Sequence, residues 1–158
     1  MSTRRRCFCV FAYAVPTVGL LLQGLLYLTT QSFMPYHADA LALTWDQLPP
    51  HHQGFLLGVI RGMGAGSFTV ALALLLMLVI PFRRGDRWPY WAVPLIGVVF
   101  TVLTAYAAFT IDTQTPASTP WRQTLGLTAV YSVGALISYW PSRGVQNRSV
   151  NQPDEPIL

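Results

Sequence analysis

Residues 54–80 read GFLLGVIRGMGAGSFTVALALLLMLVI, an apolar run interrupted by a single charge, Arg61. A hydrocarbon core about 30 Å thick is crossed by around 20 helical residues, so this run is long enough to span one. Core helices of soluble domains rarely stay apolar for so long. Three further stretches share its character, at residues 8–30, 90–111 and 121–139. Lipid offers no hydrogen-bond partner to a bare backbone, so each of these stretches is expected to be helical. Pro16 and Pro94 are expected to bend their helices locally.

The reading is therefore all-α, an integral membrane four-helix bundle over residues 1–140 with a polar tail, 141–158, expected to be disordered. The composition agrees. Of 158 residues 53% are hydrophobic and only 10% charged, too apolar for an ordinary soluble domain and sufficient for one compact unit. The formal charge of +4 comes from arginine alone, and the arginines flank the apolar stretches instead of lining a soluble face. That pattern is one of topology determinants, and it excludes a nucleic-acid footprint.

Arg4, Arg5 and Arg6 precede the first stretch, Arg83, Arg84 and Arg87 separate the second from the third, and Arg143 and Arg148 follow the fourth. The alternate connections, 31–53 and 112–120, carry Asp39, Asp46 and Asp112. The positive-inside rule then places both termini and the middle loop in the cytoplasm, with Trp88, Trp91, Trp121, Tyr139 and Trp140 at the interfaces. The basic start and following apolar run resemble a secretory signal, but no small-x-small cleavage site follows, so an uncleaved first helix is expected. Cys7 and Cys9 fall beside the basic cluster on the reducing side, which argues against a structural disulfide. A C-x-C pair alone makes a poor metal site.

Within the second stretch Gly54, Gly58, Gly62 and Gly66 recur every four residues, the small-xxx-small pattern that admits a neighbouring backbone. The ridge can serve the bundle interior, which is the expectation here, or a homo-oligomer or partner membrane protein. Arg61 stands about seven residues from the outer end, hence ~10 Å below the interface. A guanidinium at that depth is costly against lipid unless it snorkels or is paired, so it is the leading candidate for ligand binding. The row Leu57, Arg61, Ala65, Thr69 and Ala73 is small and partly polar, and is expected to face inward. Gln23, Thr104 and Thr128 fall at similar depth and would complete a polar layer. Tyr106 and Asp112 lie nearer the outside, where Asp112 could pair with Arg61.

The connection 31–53 is apolar enough, through Met34, Leu41, Leu43, Trp45 and Leu48, to form a short helix on the outer surface. It holds His37, His51 and His52, but adjacent histidines rarely ligate one ion and no H-x-x-x-H spacing occurs, so no metal is expected. Ser67, Ser132 and Ser138 have no neighbouring base in a nucleophile motif, and the GMGAGS run at 62–67 is membrane packing, not a phosphate loop. Neither a cofactor nor a catalytic residue is expected.

The strings FMPYH at 33–37, WDQLPP at 45–50, PFRRGDRW at 81–88 and TPASTPW at 115–121 resemble those of uncharacterised bacterial four-helix membrane proteins. The resemblance covers nearly the whole chain up to Pro141 and implies this topology in a bacterial inner membrane, but no activity and no site residue. On the residues themselves, the expectation is a binding or accessory protein that engages membrane lipid, a small anionic ligand or a partner subunit. An oligomeric small transporter or channel is the alternative, and a metal-dependent membrane enzyme using the outer histidines is a third.

Overall fold

The structure, a computed structural model, describes residues 3–139, with side chains described from Cys7 onward. It contains six α-helices and, among the described residues, no strand: α1 (Thr3–Thr29), α2 (Pro35–Leu41), α3 (Pro50–Val79), α4 (Pro81–Arg84), α5 (Pro89–Gln114) and α6 (Trp121–Tyr139). A single 3-10 turn, Trp45–Gln47, lies between α2 and α3. The expected tail at 141–158 and the interfacial Trp140 fall outside the described residues.

Among the described residues three helical segments are long and apolar enough to cross a membrane: Cys7–Thr29, Pro50–Arg84 and Pro89–Gln114. The fourth long helix, α6, has 19 residues and is more polar, so at about 28 Å it matches the thickness of a hydrocarbon core without the hydropathy of its neighbours. Prolines open α2, α3, α4 and α5, where a missing N–H leaves no bond unmade. Gly85 ends α4 in the left-handed region at φ 84°, a conformation that favours glycine, and so sets the tight turn into α5.

The long helices pack in the spatial order α3, α1, α6, α5, and α3 also meets α5. The α1–α3 crossing is a contact of two backbones. A Cβ on Gly24 would stand 2.6 Å from the backbone nitrogen of Phe68, and one on Gly64 would stand 2.8 Å from Tyr27 Cβ and 2.9 Å from the nitrogen of Leu28. Neither spot has room for a methyl group. On the opposite side, Gly97 receives the ring of Tyr131 and Gly134 the ring of Tyr13, each in a hole that a Cβ would fill. Tyr13, Tyr131, Leu20, Leu74 and Val93 are fully enclosed there and form the centre of the core.

This geometry corrects the expectation for the four-residue glycine ridge. Gly54, Gly58, Gly62 and Gly66 are exposed, with open space where each Cβ would be. The row Arg61, Ala65, Thr69 and Ala73 is exposed as well. The buried face of α3 is instead Ile60, Gly64, Ser67, Ala71, Leu74 and Leu78. Both faces of α3 carry small residues at helical spacing, Gly64, Ser67 and Ala71 on the buried one, so the pattern alone does not choose between them. The choice falls to the face with large apolar side chains adjacent to Gly64 and a matching Gly24 across the crossing.

Polar groups in the core are paired. Proline at 94 removes the N–H that would bond the carbonyl of Tyr90, and the Tyr13 hydroxyl donates to that carbonyl at 3.4 Å. The same hydroxyl lies 2.9 Å from Ser138 Oγ, which in turn donates to Cys9 Sγ at 3.2 Å. Thr17 Oγ1 donates to the Tyr13 carbonyl at 2.6 Å and lies 2.8 Å from the Tyr131 hydroxyl. Among the described residues no buried side-chain nitrogen or oxygen lacks a partner. Cys7 and Cys9 are both free thiols.

Substituting Gly24→Ala or Gly64→Ala is expected to destabilise the protein by about 1–3 kcal/mol through overpacking of two backbones. Gly58→Ala and Gly62→Ala should leave unfolding unchanged, and thermal unfolding in detergent distinguishes the two pairs.

Candidate functional site

The connection between α1 and α3 folds back over the helix ends instead of looping freely. Phe33 is its apolar anchor, buried with Tyr27 and Ile60 and covered by Met34, Trp45, Leu48 and Leu56. Its ring meets Trp45 edge to face at 5.1 Å, an arrangement favoured by the ring quadrupoles. Gln53, in the first turn of α3, clamps the connection by donating from Nε2 to the carbonyls of Trp45 and Leu48, both at 3.0 Å. The short helix expected from Met34, Leu41 and Trp45 is thus α2 followed by the 3-10 turn.

His37 holds the start of α2: the Met34 backbone N–H donates to its Nδ1 at 3.1 Å. That bond requires the neutral imidazole with Nδ1 unprotonated. Burial beneath the connection lowers the His37 pKa from its ordinary value of 6.5. Burial, with the hydrogen bond to Tyr27 second, also raises the Tyr36 phenol, which therefore stays a donor at neutral pH. The rings of the remaining histidines, His51 and His52, lie 4.3 Å apart at a tilt of 39°. No group of three His, Cys, Asp or Glu side chains gathers among the described residues.

Asp112 staples the second connection. Its Oδ1 accepts from the backbone N–H of Thr119 at 2.9 Å and its Oδ2 accepts from Trp121 Nε1 at 3.2 Å. Thr119 Oγ1 adds a bond to the Ala108 carbonyl at 2.8 Å, and Trp121 packs on Phe109. The carboxylate is committed to this turn, and the expected Arg61–Asp112 pair is not formed. Arg61 turns to α1 instead: its Nη2 donates to the Thr30 carbonyl at 3.3 Å, just past the last residue of that helix. Carbonyls at a helix C-terminus lack intrahelical partners and carry partial negative charge, so a cation is favoured there. One bond leaves most of the five guanidinium N–H donors open to the exterior of the protein.

The other expected members of a polar layer separate. Thr104 bonds back to the Phe100 carbonyl in its own helix at 2.8 Å, and Tyr106 is exposed. Thr128 Oγ1 donates to Thr101 Oγ1 at 2.8 Å, a cross-link between α6 and α5. Gln23 alone lines a cavity, of about 500 Å³, between α1, α2 and α6, together with Tyr36, Gln123 and Thr124. These last three were missed in the sequence. Tyr36 lies within FMPYH and Gln123 two residues beyond TPASTPW, so the signal available was a polar residue beside a rigid proline-bearing connection.

A second cavity, about 310 Å³, lies beneath α2 between α3 and α5, lined by Phe33, His37, Leu56, Val59 and Ile111 among others. A searched set of family models, curated proteins and solved structures returned no match to this chain.

The folded state binds fewer protons at His37 than an unfolded chain, so its contribution to stability is complete above pH ~6.5 and declines as the pH falls below it. An NMR titration should place the His37 midpoint below 6.5, with loss of exchange protection in α2 over the same window. A midpoint at or above that value would contradict burial of the ring.

Proposed function

We propose that this chain is a binding or accessory protein of a bacterial inner membrane, with four spans and both termini cytoplasmic, that engages an anionic lipid headgroup or a partner subunit through the outer face around Arg61. The exposure of an apolar surface supports membrane residence: Phe11, Leu103 and Leu136 are each more than three-fifths exposed, and a protein in water rarely leaves so many large apolar side chains uncovered. Leu125, Val133 and Leu136 give α6 the same outward character. Its threonines and serines find partners inside the protein, which supports α6 as the fourth span.

The charge pattern supports the orientation, since α4 carries Arg83 and Arg84 and the α2 end carries Asp39 and Asp46. Arg122 is the exception on the outer side, and it lies over the Trp121 ring at 5.3 Å. The observation that carries the reading is Arg61 itself. It is exposed, touches one carbonyl and, among the described residues, meets no carboxylate. A guanidinium so placed on a spanning helix is stabilised by an anion at headgroup level, where bidentate bonds to phosphate are available.

The exposed glycine ridge beside Arg61 favours one further reading, an oligomeric transporter assembled through Gly54, Gly58, Gly62 and Gly66. A closed path through a single copy is not needed in that arrangement.

Native mass spectrometry from mild detergent tests both. Wild type is expected to retain an anionic phospholipid that Arg61→Leu loses by about tenfold, with insertion and thermal unfolding unchanged. Equal lipid retention combined with a lowered melting temperature would reduce Arg61 to an anchor for the end of α1. A dimer mass abolished by Gly62→Leu would support assembly through the ridge, and monomers with no solute flux in liposomes would remove the transporter.

A further inference from the structure

The cavity between α1, α2 and α6 differs from the Arg61 face in chemistry and in position. Gln23 stands six residues before the end of α1, ~9 Å along the helix, and Gln123 is in the first turn of α6. The cavity thus runs from the expected headgroup level toward the apolar interior. Leu26, Met34 and Leu127 supply its apolar wall. Its volume of about 500 Å³ lies within the range of small-molecule sites, ~300–1,000 Å³.

Two carboxamides face this space, and neither Gln23 nor Gln123 has a hydrogen-bond partner among the described residues. Among the described residues the buried side-chain polar atoms are all paired, while Gln23 is half-buried and Gln123 exposed, so both lie at the border of that paired interior. Thr124 Oγ1 has only a long bond, 3.4 Å, to the Pro120 carbonyl. Tyr27 and Tyr36 share one hydrogen bond between their hydroxyls, which uses one of two phenolic protons and leaves the other to donate. Among the described residues no charged side chain lines the cavity. Arg122, the nearest cation in sequence, is placed over Trp121.

Gln23, half-buried and ~9 Å below the end of α1, is the deeper of the two, and a carboxamide in the apolar zone costs free energy until a partner supplies bonds, whereas Gln123 is exposed at the mouth. The donors and acceptors are balanced and neutral, so an anionic headgroup would find no cation and a quinone, which only accepts, would leave the carboxamide oxygens unpaired. A hydroxyl both donates and accepts. We infer that this cavity binds an uncharged, hydroxyl-bearing lipid of the diacylglycerol type, its hydroxyl head on Gln23, Gln123 and Thr124 and an acyl chain along Leu26 and Leu127. This deepens the lipid-binding reading, and it rests on residues separate from Arg61.

The test uses the full chain in phosphatidylcholine nanodiscs doped with a diacylglycerol carrying a photoreactive acyl chain, since sugar detergents are themselves neutral polyol amphiphiles. Saturable labelling of α1 and α6 peptides is expected, displaced by unlabelled diacylglycerol but not by phosphatidylglycerol. Gln23→Leu combined with Gln123→Leu should lower labelling about tenfold, because the head then loses its partners. Gln123→Leu alone, at the mouth of the cavity, should lower it measurably even where the double variant is less stable. Arg61→Leu should label as wild type, which separates this site from the anionic one: loss of phospholipid there with labelling retained here leaves this inference standing. Labelling insensitive to both glutamine substitutions, or displaced equally by phosphatidylglycerol, would overturn it.

Discussion

The contact on which the rest of the arrangement depends is the meeting of α1 and α3 at Gly24 and Gly64. Two helices surrounded by apolar side chains gain little by exchanging one apolar neighbour for another, so close association in lipid relies on dispersion between surfaces that touch without a gap. Glycine at both positions lets the backbones themselves make that contact. Once the crossing is set, the rotation of α3 is set with it. The side bearing Ile60, Ala71 and Leu74 turns inward, and the side bearing Gly58, Gly62 and Arg61 turns out. The same rotation brings the Arg61 guanidinium to the Thr30 carbonyl at the end of α1.

A second constraint is the treatment of polar atoms where water is scarce. Pro94 leaves a carbonyl open, and a tyrosine from α1 reaches across to bond it. Thr17 with Tyr131, and Thr101 with Thr128, join helices by hydroxyl contacts in the same way. Such pairs contribute modestly in membranes, around 0.6 kcal/mol on average by double-mutant cycles, but they also select which helix neighbours which. Outside this satisfied interior, Arg61 on one side of the α2 end and Gln23 and Gln123 on another keep hydrogen-bonding capacity to spare. Function is most economically sought where hydrogen-bonding capacity is present and unused.

The α2 end is also where the backbone is most shaped. Phe33 under Trp45, His37 against Met34, Gln53 across two carbonyls and Asp112 across the α5–α6 turn each tie a connection to a helix end. Two of these residues, Asp112 and His37, are polar groups for which the sequence alone suggests a ligand or a metal. Asp112 in particular carries the charge expected of a partner for Arg61, yet its two oxygens are occupied by a backbone N–H and an indole, and an acceptor so engaged has little to offer a distant cation.

The sequence by itself determined that the chain is helical and where its long apolar segments lie, because length and hydropathy are properties of a segment taken alone; of the four spans it led one to expect, three meet that standard among the described residues. It also exposed Arg61 as an anomaly, since a charge within an apolar run stands out whatever surrounds it. The tertiary structure decided the facing of each helix. Gly64 and Gly62 are two residues apart, and one is enclosed while the other meets open space. Gln23 and Gln123 are a hundred positions apart, and they line one cavity. Periodicity fixes which residues of a helix share a face, but the partner helix determines which face is buried, and that partner is chosen by steric fit between segments distant in the chain.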